Sequence, residues 1–347
     1  MKSNGESFDV AVVGVGVMGA AAGRALAKSG KKVALLERFA IGHARGSSHG
    51  SARIFRFSYH DPQFVAMAQE ALPLWRELER EADEPLITRT GGLDVGTIVP
   101  RHAAALSSCG VDFEMLEGAE ANRRYPGLTL PPEEEVLFQP DSGVIAAERA
   151  WRKVAAAAVA AGADLWEHTE VTELIVRGDR VELVTAGKRI QAETVLVTAG
   201  AWAGDLLAPL GIPLDVVPTR ETVAHFRTGL QEIPVMVAWS DPAFYSLPTA
   251  ELGIKAGEHI AGPHAHPDQE GAPDAGSVSR LSRGVAERFS DVDPRPHLVE
   301  TCFYTNTADA HFILERHGPL VVGSPCSGHG FKFAPLIGQR LAGLCGA

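Results

Sequence analysis

Phe8-Asp9-Val10-Ala11-Val12-Val13-Gly14-Val15-Gly16-Val17-Met18-Gly19 opens the stretch on which the fold turns, and it continues through Ala20–Lys28 to Val33-Ala34-Leu35-Leu36-Glu37. Phe8–Val13 is a short valine-rich apolar run and reads as a buried strand. Met18, Ala21, Ala22, Ala25 and Leu26 then recur at helical spacing, so a helix follows the glycines and runs to Lys28, where Gly30 stops it. Lys31–Leu36 reads as a second buried strand ending in Glu37, 18 positions past the third glycine. Strand, glycine turn, helix and strand in this order make a dinucleotide-binding βαβ unit. Gly14 serves the tight turn, Gly16 lets a pyrophosphate approach bare backbone, and Gly19 lets helix and strand pack closely. Amides at the helix N-terminus face the phosphates, and Glu37 can accept hydrogen bonds from a ribose diol. The stretch leaves open whether the dinucleotide is FAD or NAD.

Around this unit lies an ordinary globular composition. The 347 residues are enough for about two domains. Hydrophobic residues make up 45% and charged residues 22%, with mean hydropathy +0.01, which excludes a disordered tail. Lys+Arg 32 against Asp+Glu 43 gives a net charge of −11, which repels polyphosphate and argues against a nucleic-acid partner. The longest apolar stretch, Val154–Ala163, falls far short of a membrane span, and MKSNGESFDV lacks the apolar block of a secretion signal, so a cytoplasmic protein is expected. Cys109, Cys302, Cys326 and Cys345 are too few and too scattered for a disulfide framework or a CxxC zinc site; any special cysteine among them is reactive. His264 and His266 lack a third ligand at sensible spacing, so no metal is expected.

Further along, Asp61-Pro62 reads as an N-cap and first helical position, followed by Phe64, Met67, Ala68, Ala71, Trp75 and Leu78 at helical spacing, with a kink expected at Pro73. Glu148–Ala161 reads as a helix and Glu173–Val184 as a hairpin around Gly178-Asp179. Thr194–Thr198 reads as a buried strand returning to the dinucleotide unit. Pro263–Ser277, rich in proline and glycine, is expected to form a loop, and a lid if it borders a cavity.

GVGVMG, SSHGSARIFR (Ser47–Arg56), DSGV (Asp141–Val144), TAGAW (Thr198–Trp202), GIKAGEH (Gly253–His259), TCFYT (Thr301–Thr305) and SGHGFKF (Ser327–Phe333) follow one another in the order seen in a single family. From about Phe8 to about Leu344 the chain resembles the monomeric sarcosine oxidase and N-methyltryptophan oxidase family of flavoenzymes. The resemblance implies an α/β fold of the D-amino-acid-oxidase kind, in which a mixed β-sheet substrate domain is inserted into an FAD-binding Rossmann-like domain. The FAD-binding domain is expected at 1–85, 141–215 and 299–347, and the substrate domain at 86–140 and 216–298.

In the family the cysteine at the position of Cys302 carries FAD covalently through a thioether, and the resemblance transfers that role. Ser48, His49, Gly200, Gly328, Gly330 and Phe331 are implied to border the cofactor, with Lys255 and Arg53 beside its ring system. Arg56 and Lys332 match two cations that hold a substrate carboxylate, a pairing whose physical sense is a bidentate grip plus a point charge. Tyr245, Tyr304 and His259 match residues that wall the substrate cavity, His259 and His329 taking a supporting part. The implied reaction is oxidation of the C–N bond of a secondary amino acid to an imine, with O2 reduced to hydrogen peroxide, by a monomer. An amine dehydrogenase serving another electron carrier is an alternative. So is a non-catalytic flavin-binding module, because fifteen residues follow Lys332, fewer than family members usually carry. Phe57 stands where the family has a histidine, so sarcosine, a larger N-methyl amino acid and a cyclic imino acid all stay open.

Overall fold

The computed structural model describes residues 6–347. Residues 1–5, the start of the expected 1–85 segment and of the stretch read as lacking a secretion signal, lie outside the described residues. The glycine-rich opening folds as its pattern predicts. Strand Ser7–Val13 leads through the glycines into helix Val17–Lys28, and strand Val33–Leu36 returns parallel to it, with Val10 opposite Val33 and Val13 opposite Leu36. Val13 and the four residues Val33–Leu36 are buried, as continuous apolar strands covered on both faces must be.

The first sheet orders its strands Val171–Arg177, Arg180–Thr185, Arg189–Val197, Ser7–Val13, Val33–Leu36 and Asp164–Trp166. Strand Arg189–Val197 is long enough to branch. Its first half pairs antiparallel with Arg180–Thr185, while its second half pairs parallel with Leu320–Ser324, which brings the C-terminal part of the chain beside the N-terminal strand. Helices Val17–Lys28, Ala147–Ala160 and Ala334–Leu344 pack together in one core with this sheet. Helix Pro62–Ala82 joins them; its Asp61 side chain caps the Gln63 amide, its predicted apolar positions are all buried, and it runs on through Pro73.

The second sheet has eight strands in the order Leu298–Asn306, Val217–Phe226, Gly253–His259, Ala243–Thr249, Val235–Ala238, Gly92–Val95, Glu135–Gln139 and Glu114–Glu117. It is mixed: Val235–Ala238 runs parallel to Gly92–Val95 and every other neighbouring pair is antiparallel. Residues 299–306, expected with the FAD-binding domain, belong by strand pairing to this sheet, where Cys302 lies opposite Glu221 and Tyr304 opposite Thr219. The hydrogen-bond ladder to Val217–Phe226 continues over nine residue pairs, a commitment that no local pattern in Leu298–Asn306 announces. A small third sheet joins Arg53–Phe55, Gly143–Ile145 and Ile87–Arg89.

The period of two along a strand divides the second sheet's work. Ala224, Phe226, Phe244, Ile254 and Ala256 point into one apolar core, shared with helix Ala275–Arg288 through Leu281 and Val285. Val223, Tyr245, Lys255, His259, Cys302 and Tyr304 alternate with them and face a cavity between the two sheets.

Candidate active site

The cavity holds about 480 Å³ and runs from the glycine turn, past Arg53, Lys255 and Cys302, to Arg56 and Lys332. At its first end Gly14 has φ +89°, and a Cβ there would stand 2.7 Å from the Ala199 Cα, so both conformation and space require glycine. Gly16 leaves room for Ser48, whose hydroxyl accepts the Val17 amide at 2.9 Å. A Cβ on Gly19 would meet the Gly14 carbonyl oxygen at 2.1 Å, which is the close helix–strand packing expected of it. Trp151 is fully buried and donates its indole N–H to the Val15 carbonyl at 2.7 Å, bracing the turn from behind. Glu37 accepts the Val15 amide at 2.8 Å and the Phe39 amide at 3.0 Å. These bonds fix the carboxylate at the cavity wall, and each of its oxygens keeps acceptor capacity for a diol.

The residues present fit FAD. Helix Val17–Lys28 carries no acidic residue in its first turn, so nothing there opposes a phosphate. Thr305 and Ser324 line the cavity with buried hydroxyls that find no partner among the described residues, the mark of a site completed by a ligand. Ser48, Gly200, Gly328, Gly330 and Phe331 all line the wall. Gly19 and His49 are not among the lining residues; His49 is buried behind Ser48, with its ring Nε2 unpartnered and its pKa pushed down to about 4 by burial and the Arg53 charge. The segment read as a loop over Pro263–Ser277 is a loop only to Asp274, where helix Ala275–Arg288 begins, and it reaches the same end of the cavity. Its Asp268 accepts from the Trp202 indole at 2.8 Å and pairs with Arg38 at 2.8 Å, so it borders the region of Glu37 and lies away from Arg56 and Lys332.

In the middle of the cavity Arg53 spends its donors on backbone: Nη2 reaches the carbonyls of Ser47 at 2.9 Å and His49 at 2.8 Å, and Nη1 that of Ala52 at 2.9 Å. It holds the 47–52 loop and sets a fixed positive charge. Lys255 is buried, and among the described residues the only hydrogen bond of its Nζ is a 3.3 Å contact to the Ala52 carbonyl. Burial, then the Arg53 charge, pushes its pKa down to about 7. Burial also raises the Cys302 thiol, while Arg53 and Lys255 oppose that rise and favour the thiolate.

At the far end, Arg56 donates to the Ser58 carbonyl and packs its guanidinium over the rings of Tyr59 at 4.2 Å and Trp239 at 5.2 Å. Lys332, also buried, donates to the Tyr59 hydroxyl at 2.8 Å and the His329 carbonyl at 2.7 Å. Fully buried Trp75 braces this end, its indole N–H reaching the Lys332 carbonyl at 2.7 Å. Tyr245 lies across its neighbouring strand, where a Cβ on Gly257 would meet its hydroxyl at 2.3 Å. Burial, then the Arg56 charge, pushes His259 down to about 4, so it lines the cavity as a neutral ring.

Three residues here escape sequence reasoning. Trp239 lines the cavity and is anchored by its indole N–H to buried Asp94 at 2.7 Å, and Tyr59 stands behind Arg56 and Lys332. Asp94 lies on strand Gly92–Val95 and Trp239 just past the end of strand Val235–Ala238, 145 positions apart, so no local pattern reports their contact. Tyr59, three positions past Arg56, offered a signal in its closeness to the SARIFR motif.

Comparison with known proteins agrees with this geometry. Residues 9–344 match the family described as FAD dependent oxidoreductase. Human peroxisomal sarcosine oxidase is 34% identical, over 98% of this chain and 93% of its own length. Monomeric sarcosine oxidase of Bacillus sp. strain B-0618 is 33% identical, over 97% and 92%. Among solved structures, NikD, described as an unusual amino acid oxidase essential for nikkomycin biosynthesis, superposes with a TM-score of 0.89 at 31% identity, covering 98% of this chain and 94% of its own. Among the described residues no helix is long and apolar enough to cross a membrane. With the glycine turn, the acidic strand end and the orphan hydroxyls lining one continuous cavity, and the family match spanning nearly the whole chain, this protein belongs to the FAD dependent oxidoreductase family.

Proposed function

We propose that the chain is an FAD-dependent oxidase of secondary amino acids, N-methylated or cyclic, that converts the C–N bond to an imine and O2 to hydrogen peroxide. The observation that carries this reading is that Arg56 and Lys332 line the same cavity as Lys255 and Cys302. The unit built on the first sheet takes the cofactor, and the cavity face of the second sheet takes the substrate. FAD, when bound, supplies the two-electron acceptor and passes the electrons to oxygen. The chain's own residues bind, orient and tune charge. Arg56 and Lys332 hold the carboxylate, while Tyr245, Tyr304 and His259 close the walls around the amine and exclude water. The positive field at this end favours the neutral amine, the form whose C–N bond can be oxidised. Lys255 places an ammonium where negative charge develops during oxygen reduction. Cys302 would be the residue that holds FAD covalently, with Arg53 and Lys255 favouring its thiolate.

A peroxide-coupled screen of N-methyl and cyclic amino acids tests the reading: at least one substrate should yield one peroxide per imine. Substrate-dependent bleaching of the flavin without peroxide under air would overturn the oxidase assignment. Acid precipitation tests the attachment, since yellow colour left in the supernatant would exclude a bond to Cys302. A cytoplasmic monomer completes the proposal, and sedimentation of the purified enzyme checks the monomer.

A further inference from the structure

Lys332 is part of a directed hydrogen-bond chain. Its Nζ donates to the Tyr59 hydroxyl at 2.8 Å and to the His329 carbonyl at 2.7 Å. The Tyr59 hydroxyl lies 3.2 Å from His329 Nδ1, and His329 Nε2 lies 2.9 Å from the Ala310 carbonyl. A carbonyl only accepts, so Nε2 carries the ring proton, and a neutral imidazole then accepts at Nδ1. Burial keeps the His329 ring neutral. The Tyr59 proton therefore goes to His329, and the Tyr59 oxygen accepts from Lys332. Two of the lysine's hydrogen positions are thus committed to the protein. The third position of Nζ is free on a side chain that lines the cavity, and it is either an N–H or a lone pair.

The surroundings choose between them. The titratable groups facing this end are Arg56 and Tyr59 from the segment after strand Arg53–Phe55, His259 from strand Gly253–His259, and His329 from the turn before Lys332. Arg56 is a permanent cation, the two histidines are neutral, and burial raises Tyr59 to about 12. Among the described residues no carboxylate pairs with Lys332. Asp94, beyond Arg56, is engaged by Trp239 and by His102 at 3.4 Å. A buried amine beside a fixed positive charge and without a counter-ion sheds its proton, in line with the strong downward shift of Lys332.

We propose that Lys332 is a neutral amine in the substrate-free cavity and becomes an ammonium when a carboxylate binds beside Arg56, with Tyr59 and His329 as positioning residues that reserve its one free position for this change. The proposal rests on the carboxylate reading of this end. A secondary amino acid enters as a zwitterion. Its ammonium N–H bond breaks, an Nζ–H bond forms on Lys332, and the substrate is left as the neutral amine with no net proton exchanged with solvent. A carboxylate without an amine must instead draw that proton from water.

The test is titration of the FAD-loaded enzyme with methoxyacetate at pH 8 in weak buffer, reading binding by flavin absorbance and proton uptake by an indicator dye. The expected result is uptake approaching one proton per ligand bound. Lys332→Arg should bind without uptake, because a guanidinium is already charged. Tyr59→Phe should weaken binding about tenfold and shift the pH at which uptake is half-maximal. Binding with no uptake between pH 7 and 9, or undiminished uptake in Lys332→Arg, would overturn the proposal while leaving the carboxylate site intact. Failure of methoxyacetate to bind, alongside normal flavin content, would overturn the carboxylate reading and this proposal with it.

Discussion

At the dinucleotide end of the cavity most of the working groups are backbone and come from one contiguous stretch, Gly14–Glu37; at the cation end they are side chains gathered from Arg56–Tyr59, Trp239–His259, Tyr304 and His329–Lys332. Both ends are braced alike, Trp151 holding the Val15 carbonyl and Trp75 the Lys332 carbonyl, each at 2.7 Å from a fully buried indole. The difference lies in what each end tolerates. A backbone cradle is destroyed by added atoms, whereas a side-chain clamp is destroyed by removed charge. The first end should therefore govern cofactor retention and the second substrate affinity.

The sharpest way to break that division is Gly14→Val. A branched side chain at φ +89°, with its Cβ 2.7 Å from Ala199 and 2.8 Å from the Thr198 carbonyl, should leave purified protein without flavin absorbance; a yellow, active variant would refute the backbone cradle. Next is Arg56→Met, which should lower kcat/KM by about 100- to 1,000-fold, a few kcal/mol of lost charge-assisted binding, while the flavin-to-protein ratio stays at the wild-type value. Parallel loss of flavin would merge the two ends into one.

The two tryptophans sharpen the comparison at smaller scale. Trp151→Phe and Trp75→Phe each strand a buried carbonyl at a cost of about 1–3 kcal/mol. The first should reduce flavin incorporation, and the second should raise KM with incorporation unchanged; a swap of these effects would reverse the roles of the braces.

The smallest effect concerns pH. Lys255 in the folded chain loses its proton near 7, against 10.5 for an unperturbed lysine, so the unfolded chain binds more protons between those values and stability rises with pH across that window. Lys255→Met should therefore raise the urea midpoint most at and below pH 7, with the gain shrinking toward pH 10; a gain independent of pH would show that Lys255 is charged throughout.

How much of this was legible beforehand follows the same division. Gly14, Gly16, Glu37 and the apolar strand at Phe8–Val13 announce themselves through local spacing, because a βαβ turn is built from neighbours in the chain. Arg56 and Lys332 were found only through a resemblance of whole motifs, since 276 positions separate them and nothing local links them. Trp239 and Asp94 were missed because their contact is made by strand order in the second sheet. The sheet to which Leu298–Asn306 belongs is hidden for a related reason: no local pattern marks it, and only its ladder to Val217–Phe226 decides.

By itself the sequence determined the dinucleotide-binding opening, the helices at Pro62–Ala82 and Ala147–Ala160, and the class of chemistry, because short-range spacing and motif order encode all three. The tertiary structure alone decided which residues share the cavity face and how the Lys332–Tyr59–His329 chain is directed. It also decided which charges lie without a counter-ion. These depend on burial and on through-space distance, which arise only once the two sheets close over the cavity.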